Sequence, residues 1–358
     1  MADIYVNATI AAPSGSGTIG DPYGDLQYAL DSTTQGANGD NFHIRSKTAE
    51  FLAGGLSLAT YGTPTYGKRL VFSGYTSAAW DGGVAEINCN GSYNLFASTS
   101  YSYISLHNLE IHNGGTASII YLADYCRIIG CDIHGSANYG IHLGTGCFTA
   151  DCLIYDCGIG YYTSGASMLA FSSIFNYGLS YSMSTMAYAG GANAAVQFCF
   201  LQHVPTNTPP TYGIHLANSS TSVNNNLVKA YPATTGYAIY IPYGCAICTG
   251  NIIIDWSGAG AIAIRNTGQT GRISNNFFYN NTANISNTSQ IYFNENNTVL
   301  TETPWVYYGG DEYGINHSVA GGAWPEYYKG VGITRPRRLD AAPMQIPIDI
   351  RTMRASRG

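Results

Sequence analysis

Two acidic residues at equivalent positions are the first candidates for chemistry in this sequence. Glu110 and Asp132 hold the same place in the similar segments 109–112 and 131–134, and Arg127 is the nearest cation. Paired carboxylates serve as general acid and base in glycoside hydrolysis, and several together bind Ca²⁺. One interpretation is a catalytic or calcium-binding cluster of these three residues. The favoured alternative is surface charge at strand ends, because no further carboxylate or Lys falls at an equivalent position.

A second candidate is a stripe of aromatic and imidazole groups. The segment Tyr-Gly-Ile-His-Leu occurs twice and contains His142 and His215, and Tyr121 and Tyr240 hold the equivalent position in two related segments. Since side chains alternate along a strand, these four point outward if their apolar neighbours point inward. We predict that the stripe binds sugar rings or a partner protein, with a solvated Tyr-rich face as the open alternative. The sequence shows no His beside a Ser or Cys with an orienting carboxylate, and the histidines are predicted to lie on strand surfaces.

The nine cysteines favour burial over chemistry. An odd number in a long chain argues against a disulfide framework, and the Cys245/Cys248 pair lacks the second pair that a zinc site requires. Cys131, Cys152 and Cys199 share one position of a repeat. We therefore predict a stack of small, buried, unpaired thiols, and no metal site.

The elements that position these residues follow from an internal repeat of about 24 residues. Each repeat holds three short, alternating, β-branched segments separated by Gly, Asn and Ser, which is typical of strands with one buried face. Three strands in so short a repeat favour coiling, with each turn pairing in parallel with the next. The prediction is an all-β chain folded as a right-handed parallel β-helix, in which Asn226, Asn251 and Asn276 stack as an amide ladder.

Composition and charge exclude other classes. Of 358 residues, 43 are Gly and 30 are Tyr, while charged residues make up only 10%. The net charge of -6 argues against nucleic acid as a partner. The sequence has no run of 18 apolar residues, so we predict no membrane partner. The N-terminus lacks the basic start and apolar run of a signal peptide.

Both ends differ from the repeats. We divide the chain into an N-terminal leading segment and cap (1–40), the β-helix (41–300) and an irregular C-terminal arm (301–358). Residues 25–31 read as a short amphipathic helix that covers the first rung. With Gly-Asp-Pro-Tyr-Gly-Asp-Leu-Gln-Tyr-Ala-Leu at 20–30, the chain resembles the pectate-lyase-like right-handed β-helix superfamily. The resemblance implies the fold but not an activity, since that superfamily includes lyases, hydrolases, phage tail spikes and non-catalytic virion proteins.

Two sets of residues are predicted to form interfaces. One is an outward apolar stripe in adjacent repeats, which normally marks a contact surface; its members are Leu153, Ile174, Phe200, Leu227, Ile252 and Phe277. The alternatives are cover by the arm or an inverted inside-outside assignment. The other set lies in the arm, where aromatic and Arg side chains suit docking; it comprises Trp305, Trp324, Arg351 and Arg354.

Three functional hypotheses follow. The first is a non-catalytic structural protein of a phage or virus particle, such as a capsid decoration, fibre or spike, that forms a homo-oligomer, most simply a trimer, and contacts other virion proteins. The second is a polysaccharide lyase or glycoside hydrolase acting on an acidic glycan, with an extracellular location; only the lyase implies a cofactor, Ca²⁺. The third is a glycan-binding protein.

Overall fold

The computed structural model describes most of the first 315 residues. The residues outside the description are 11–13, 46–48, 177–179, 204–207, 232, 244–245, 269–270, 288–292, 304, 310–311 and 316–358. The side chains of 49–51, 246, 271, 287, 293–294, 305–309 and 312–315 are also outside it.

One short helix, α1 (Leu26–Ser32), accompanies 31 short strands. The strands are β1 (Ala2–Val6), β2 (Gly39–Arg45), β3 (Ala49–Phe51), β4 (Arg69–Tyr75), β5 (Ala85–Asn88), β6 (Ile104–His107), β7 (Leu109–Gly115), β8 (Ile120–Leu122), β9 (Arg127–Ile129), β10 (Asp132–Leu143), β11 (Phe148–Ala150), β12 (Leu153–Thr163), β13 (Met168–Ala170), β14 (Ser173–Asn176), β15 (Thr185–Ala189), β16 (Ala195–Gln197), β17 (Phe200–His203), β18 (Tyr212–Leu216), β19 (Ser222–Asn224), β20 (Leu227–Lys229), β21 (Tyr237–Ile241), β22 (Ala246–Thr249), β23 (Ile252–Ile254), β24 (Ile262–Asn266), β25 (Gly271–Ser274), β26 (Phe277–Tyr279), β27 (Ala283–Asn287), β28 (Phe293–Glu295), β29 (Thr298–Val299), β30 (Trp305–Gly309) and β31 (Glu312–Ile315).

Three parallel sheets wrap one continuous core. Sheet one has 12 strands, in the order β1-β2-β4-β6-β9-β11-β13-β16-β19-β22-β25-β28. Sheet two runs β3-β5-β7-β10-β12-β14-β17-β20-β23-β26-β29. Sheet three runs β8-β10-β12-β15-β18-β21-β24-β27, and the long strands β10 and β12 contribute to both sheets. The predicted right-handed parallel β-helix is confirmed.

The core is built from one inward column of aliphatic side chains on each sheet. On sheet two the column passes through Ile133, Ile154, Ile174, Leu201 and Val228, all of which are fully buried. Because most rungs contribute β-branched or leucine side chains at the same register, the columns pack along the axis.

The predicted amide ladder is confirmed at one corner of the helix. Asn226 Nδ2 donates to Asn251 Oδ1 at 3.0 Å, and Asn251 Nδ2 donates to Asn276 Oδ1 at 3.0 Å. The ladder continues to Asn297, whose Oδ1 accepts from Asn276 Nδ2 at 3.0 Å. These side chains satisfy buried polar groups where the chain turns between sheets.

The same corner explains the small residues and the turn residues of the repeat. Cys131, Cys152 and Cys199 occupy the ladder position in earlier rungs, where they are buried and unpaired as predicted. The residue before each ladder position adopts the left-handed backbone conformation, for example Gly130 at φ 66° and Asn275 at φ 56°. Gly and Asn accept that conformation at the lowest steric cost, and this accounts for their frequency at the turns.

The predicted N-terminal helix is confirmed as α1. Asp25 caps it, because its side chain accepts a hydrogen bond from the backbone N–H of Tyr28 at 2.6 Å. The apolar face buries Leu26, Ala29 and Leu30 in the core cluster of the β-helix. At the other end, β30 and β31 form an antiparallel hairpin within the predicted arm. Trp324, Arg351, Arg354 and any docking of the arm lie outside the described residues.

The predicted outward apolar stripe is wrong in two respects. Ile174 pairs with Ile154 and Leu201 and therefore points into the core, since the equivalent residue on the outer face is Ser173. A one-residue slip in the alignment reverses every side chain of a strand. The outward residues Phe200, Leu227, Ile252 and Phe277 are buried as well, with at most 7% exposed. They do not form the solvent-exposed patch that the interface prediction required, and Leu153 alone of the six is half-buried.

Candidate functional site

A continuous column of ring side chains follows the outer face of sheet three. Strand register places the residues of this column next to one another in seven successive rungs; they are Tyr121, His142, Tyr162, Tyr188, His215, Tyr240 and Arg265. Tyr139, Tyr212 and Tyr237 lie beside the column on the same face and touch its rings. We call these ten residues the aromatic ladder. All of them are half-buried.

The rings of the ladder contact one another from rung to rung. Tyr121 stacks on His142 at a centroid distance of 4.0 Å, and Tyr162 stacks on Tyr188 at 4.6 Å. Between these pairs the ring planes turn, with an interplanar angle of 71° between His142 and Tyr162. A further turn of 77° separates Tyr188 from His215. The column therefore contains two stacked pairs that are turned relative to each other, followed by His215, which is turned relative to the second pair.

Local sequence explains why the Tyr-Gly-Ile-His-Leu segments face this way. In β18, Ile214 and Leu216 enter the core, which turns Tyr212 and His215 outward. The intervening Gly213 has no room for a side chain, because an added Cβ lies 2.6 Å from the carbonyl oxygen of Ala238. The glycine thus lets two outward rings flank a single inward isoleucine.

The ladder carries little charge at neutral pH. Burial lowers the pKa of His142 to about 4, and burial does the same for His215, so both imidazoles are neutral. Burial raises the pKa of Tyr162 and of Tyr188, so the phenols keep their protons. The charge in the column is Arg265 at its C-terminal end, whose Nη1 donates to Ser286 Oγ at 2.6 Å.

The structure brings the four predicted binding residues into one column but inserts two others between them. Tyr162 and Tyr188 separate His142 from His215, whereas the sequence-based prediction treated Tyr121, His142, His215 and Tyr240 as the set. The two tyrosines lie in Gly-Tyr-Tyr-Thr and Met-Ala-Tyr-Ala, which differ from the repeated segment. Their spacing, at roughly one repeat from each neighbour, is the signal that reveals them.

The candidate carboxylates form a separate column on sheet two. Glu110 pairs with Asp132 as predicted, and the column also contains Glu86 in the preceding rung. His112 Nε2 lies 2.9 Å from Glu86 Oε1, and His134 Nε2 lies 3.3 Å from Glu110 Oε1.

The imidazoles of this second site are themselves stacked. The rings of His112 and His134 stack at 5.1 Å, and His134 stacks on Tyr155 at 4.6 Å. Arg127 does not belong to this cluster, because it lies on β9 of sheet one. It precedes the corner that separates the two sheets, which is why its closeness in sequence was misleading.

Two properties of the described part of the chain bear on partners. Within it, no group of three or more His, Cys, Asp or Glu side chains is arranged to hold a metal ion. Within the same residues, no helix has the length and apolar character needed to cross a membrane.

Comparison with known proteins supports the fold and goes no further. No protein-family profile matches the sequence, and no curated protein matches it. Among solved structures, a complex of XylC with xylose has a TM-score of 0.54 at 10% identity, with 96% of this chain and 93% of that chain covered. The lacto-N-biosidase of family GH136 from Eubacterium ramulus has a TM-score of 0.50 at 12% identity, over 82% of this chain and 68% of the other.

A phage protein is also among the similar structures. A double mutant of the tailspike protein of E. coli bacteriophage HK620 has a TM-score of 0.48 at 13% identity, over 84% of this chain and 64% of the tailspike. The comparison with XylC and with the lacto-N-biosidase agrees with the parallel β-helix fold described above. At these identities the likeness concerns architecture alone, and function has to be argued from the surface of this chain.

Proposed function

We propose that this protein is a spike-like structural β-helix that binds a neutral polysaccharide along sheet three and does not cleave it. The observation that carries the proposal is the aromatic ladder. The six intervals between its seven rungs, at about 4.8 Å each, give a strip about 29 Å long, which matches an extended chain of several sugar residues.

The chemistry of the ladder suits a polyhydroxylated, uncharged ligand. The phenol groups of Tyr162 and Tyr188 donate and accept hydrogen bonds, and the ring of His215, turned by 77° from that of Tyr188, offers apolar surface for the C–H face of a sugar. Since the imidazoles of His142 and His215 are neutral, the strip offers an acidic glycan no row of cations. This favours a neutral polysaccharide over the acidic glycan considered in the lyase hypothesis.

The structural role rests on the architecture. A parallel β-helix with one uninterrupted core presents a long, stiff face on which a linear ligand lies without bending the protein. We further propose self-association, most simply as a homotrimer, through the C-terminal arm. A virion component that contacts a host glycan is the setting we favour, with an extracellular protein as the alternative.

Affinity electrophoresis tests the proposal. Native gels containing xylan, galactomannan or a neutral glucan are run beside gels containing pectate or alginate. We expect one of the neutral gels to retard the wild-type protein and the Tyr162→Ala/Tyr188→Ala variant to migrate freely. Tyr66→Ala is the matched control, since Tyr66 is 83% exposed and lies outside the ladder. Retardation by acidic polymers alone would contradict the proposal.

A second candidate function, glycoside hydrolysis, is favoured by the carboxylate column on sheet two. Glu86, Glu110 and Asp132 lie in three successive rungs. One-rung spacing is about 4.8 Å and two-rung spacing about 9.6 Å, which bracket the carboxyl separations of retaining and inverting glycosidases. Burial raises the pKa of the adjacent Tyr155, with Asp132 and Glu110 adding to the effect, so that phenol stays protonated.

Reducing-sugar release from the same polysaccharides tests this second candidate. If the protein does not cleave the polysaccharide, the Glu86→Gln/Glu110→Gln/Asp132→Asn variant and the wild-type protein release equally little sugar. Loss of measurable cleavage on the order of a thousandfold in that variant would establish the hydrolase instead. Glu295→Gln is the control, because Glu295 is an exposed carboxylate on β28 of sheet one.

A further inference from the structure

Three residues at the N-terminal end of sheet one form a hydrogen-bonded Asp-His-Ser series. His43 Nε2 lies 2.9 Å from Asp3 Oδ1, and His43 Nδ1 lies 2.8 Å from Ser73 Oγ. Adjacent strands supply them, since β1 carries Asp3, β2 carries His43 and β4 carries Ser73. All three side chains project from the outer face of the sheet, so this series is separate from the aromatic ladder.

The protonation states of Asp3 and His43 allow the imidazole to activate the hydroxyl group of Ser73. The hydrogen bond from His43 is the main cause that lowers the pKa of Asp3, so Asp3 is an anion that accepts the Nε2 proton. The Nδ1 atom is then the acceptor, and the Ser73 hydroxyl donates to it. The ring is reversed relative to the familiar serine-protease arrangement, but either imidazole nitrogen is able to act as the base.

An aromatic lid covers the serine. Trp80 contacts the ring of His43 at 5.1 Å and the ring of His107 at 5.9 Å. Register places Ser73 between these two histidines, so Trp80 lies across it. Ser73 and His43 are fully buried, whereas Trp80 is 51% exposed.

Trp80 belongs to a loop whose backbone is hydrogen-bonded to the carboxylate of Asp81. The Asp81 carboxylate accepts hydrogen bonds from the backbone N–H groups of Thr76, Ser77, Ala78 and Gly83 at 2.6–3.1 Å. Trp80 stands next to this anchor with a left-handed backbone at φ 62°. The indole is therefore the exposed part of a loop that the Asp81 carboxylate fixes beside it.

We propose that Asp3, His43 and Ser73 form a nucleophilic centre that hydrolyses esters with small acyl groups, with Trp80 as its lid. Ser73 Oγ attacks the ester carbonyl carbon while His43 Nδ1 takes the hydroxyl proton. The C–O bond to the alcohol then breaks, and the alcohol leaves with that proton. Water, deprotonated by His43, attacks the acyl-serine. The bond between Ser73 Oγ and the acyl carbon breaks, Ser73 Oγ takes the proton back from His43, and the carboxylic acid leaves.

The residues around Ser73 suggest the size of the acyl group and the donor that stabilises the oxyanion. The hydroxyl is enclosed by Trp80 and by the partner imidazole, so we expect short acyl groups to be preferred over long acyl chains. His107 lies one rung beyond Ser73, and burial is the main cause that lowers its pKa, so it is a neutral ring. We assign its N–H as the donor to the developing oxyanion.

Active-site labelling of the whole chain tests the proposal. A fluorophosphonate is incubated with the protein and the modified peptide is identified by mass spectrometry, while p-nitrophenyl acetate, butyrate and octanoate report turnover. We expect the label on Ser73 and a higher turnover of p-nitrophenyl acetate than of the octanoate. In Trp80→Ala we expect Ser73 to be labelled faster than in the wild-type protein and the octanoate to be turned over. Asp3→Asn should lower kcat/KM on the order of 10³–10⁴-fold, because the imidazole then loses its orienting anion.

Two controls separate catalysis from folding. Ser105 is a buried serine on the next strand of sheet one, and it does not have the imidazole partner that Ser73 has. The Ser105→Ala variant should therefore keep full turnover. Asp3 is 47% exposed, so Asp3→Asn keeps the fold, as circular dichroism checks, even if Ser73→Ala does not. Absence of label on Ser73 in both the wild-type protein and Trp80→Ala would overturn the proposal, as would turnover that Asp3→Asn leaves unchanged.

Discussion

The side-chain amide of Asn226 lies 3.0 Å from the side-chain oxygen of Asn251, and neither group is exposed to solvent. The side chain of Asn251 accepts two buried hydrogen bonds from Asn226 through Oδ1, and its Nδ2 donates to Val223 O, to Asn276 Oδ1 and to Cys248 Sγ. One residue thus links three rungs of the helix at a corner where the sheets are interrupted.

Asn251→Leu is therefore expected to lower the free energy of unfolding by about 2–4 kcal/mol, because it leaves buried donors and acceptors on two neighbouring rungs without partners. Urea denaturation followed by circular dichroism measures the change. Asn138→Ala, at an exposed position, should cost less than about 0.5 kcal/mol. Equal losses in the two variants would show that the amide ladder does not stabilise the corner.

The amide ladder could be predicted from the sequence, because the prediction required only the repeat length and an Asn at the same position of successive repeats. The residues on the outer face were harder to predict, because alternation alone does not show which residues of a short strand point inward. Ser172, Ser173 and Ile174 offer two alignments, and choosing the wrong one moved Ile174 from the core to the surface. The Asp3, His43 and Ser73 series had no sequence signal at all. Its members are 40 and 30 residues apart, and the expectation that histidines lie on the surface is wrong for His43, which is fully buried.

The thiols at the same corner are expected to be unreactive in the folded protein. Burial is the main cause that raises the pKa of Cys152, and burial raises that of Cys199 to about 12. Only the thiolate reacts with a disulfide reagent, so at pH 8 both should react only upon unfolding. Mass spectrometry after labelling with and without urea reports this for each cysteine. A disulfide among Cys131, Cys152 and Cys199 in the native protein would refute the thiol stack.

Acidification should destabilise the protein before its carboxylates titrate. Burial lowers the pKa of His142, His203 and His215 to about 4 from an ordinary value of 6.5. Between these values the unfolded chain binds protons that the folded chain does not, so stability is lost as the pH falls from about 6.5 to 4. After allowance for solvent screening, each imidazole contributes about 1–2 kcal/mol.

The measurement is the denaturation midpoint at pH 8.0 and pH 4.5. His142→Gln/His215→Gln should show a smaller difference between the two pH values than the wild-type protein, because Gln does not titrate. If the denaturation midpoint of this variant depends on pH as strongly as that of the wild-type protein, groups other than His142 and His215 cause the loss of stability.

The C-terminal arm is predicted to control assembly. Arg side chains are able to fork onto carboxylates or carbonyl groups of a neighbouring subunit. We therefore expect deletion of residues 335–358 to lower the oligomeric mass and to leave the β-sheet circular dichroism unchanged. Native mass spectrometry measures the first and circular dichroism the second. The full-length Arg351→Gln/Arg354→Gln variant isolates the charges from the loss of chain. An unchanged mass in both would remove the arm from the assembly interface.

The central claim is that the aromatic ladder binds a neutral polysaccharide, and isothermal titration calorimetry tests it most directly. The titrant is an oligosaccharide of six or more units, cut from the neutral polymer that retards the protein in gels. At about 1 kcal/mol for each ring, the Tyr162→Ala/Tyr188→Ala variant should raise Kd about thirtyfold, while Tyr66→Ala leaves it within about twofold. A Kd that is the same in all three proteins would contradict the claim, because the ligand would then lie away from sheet three.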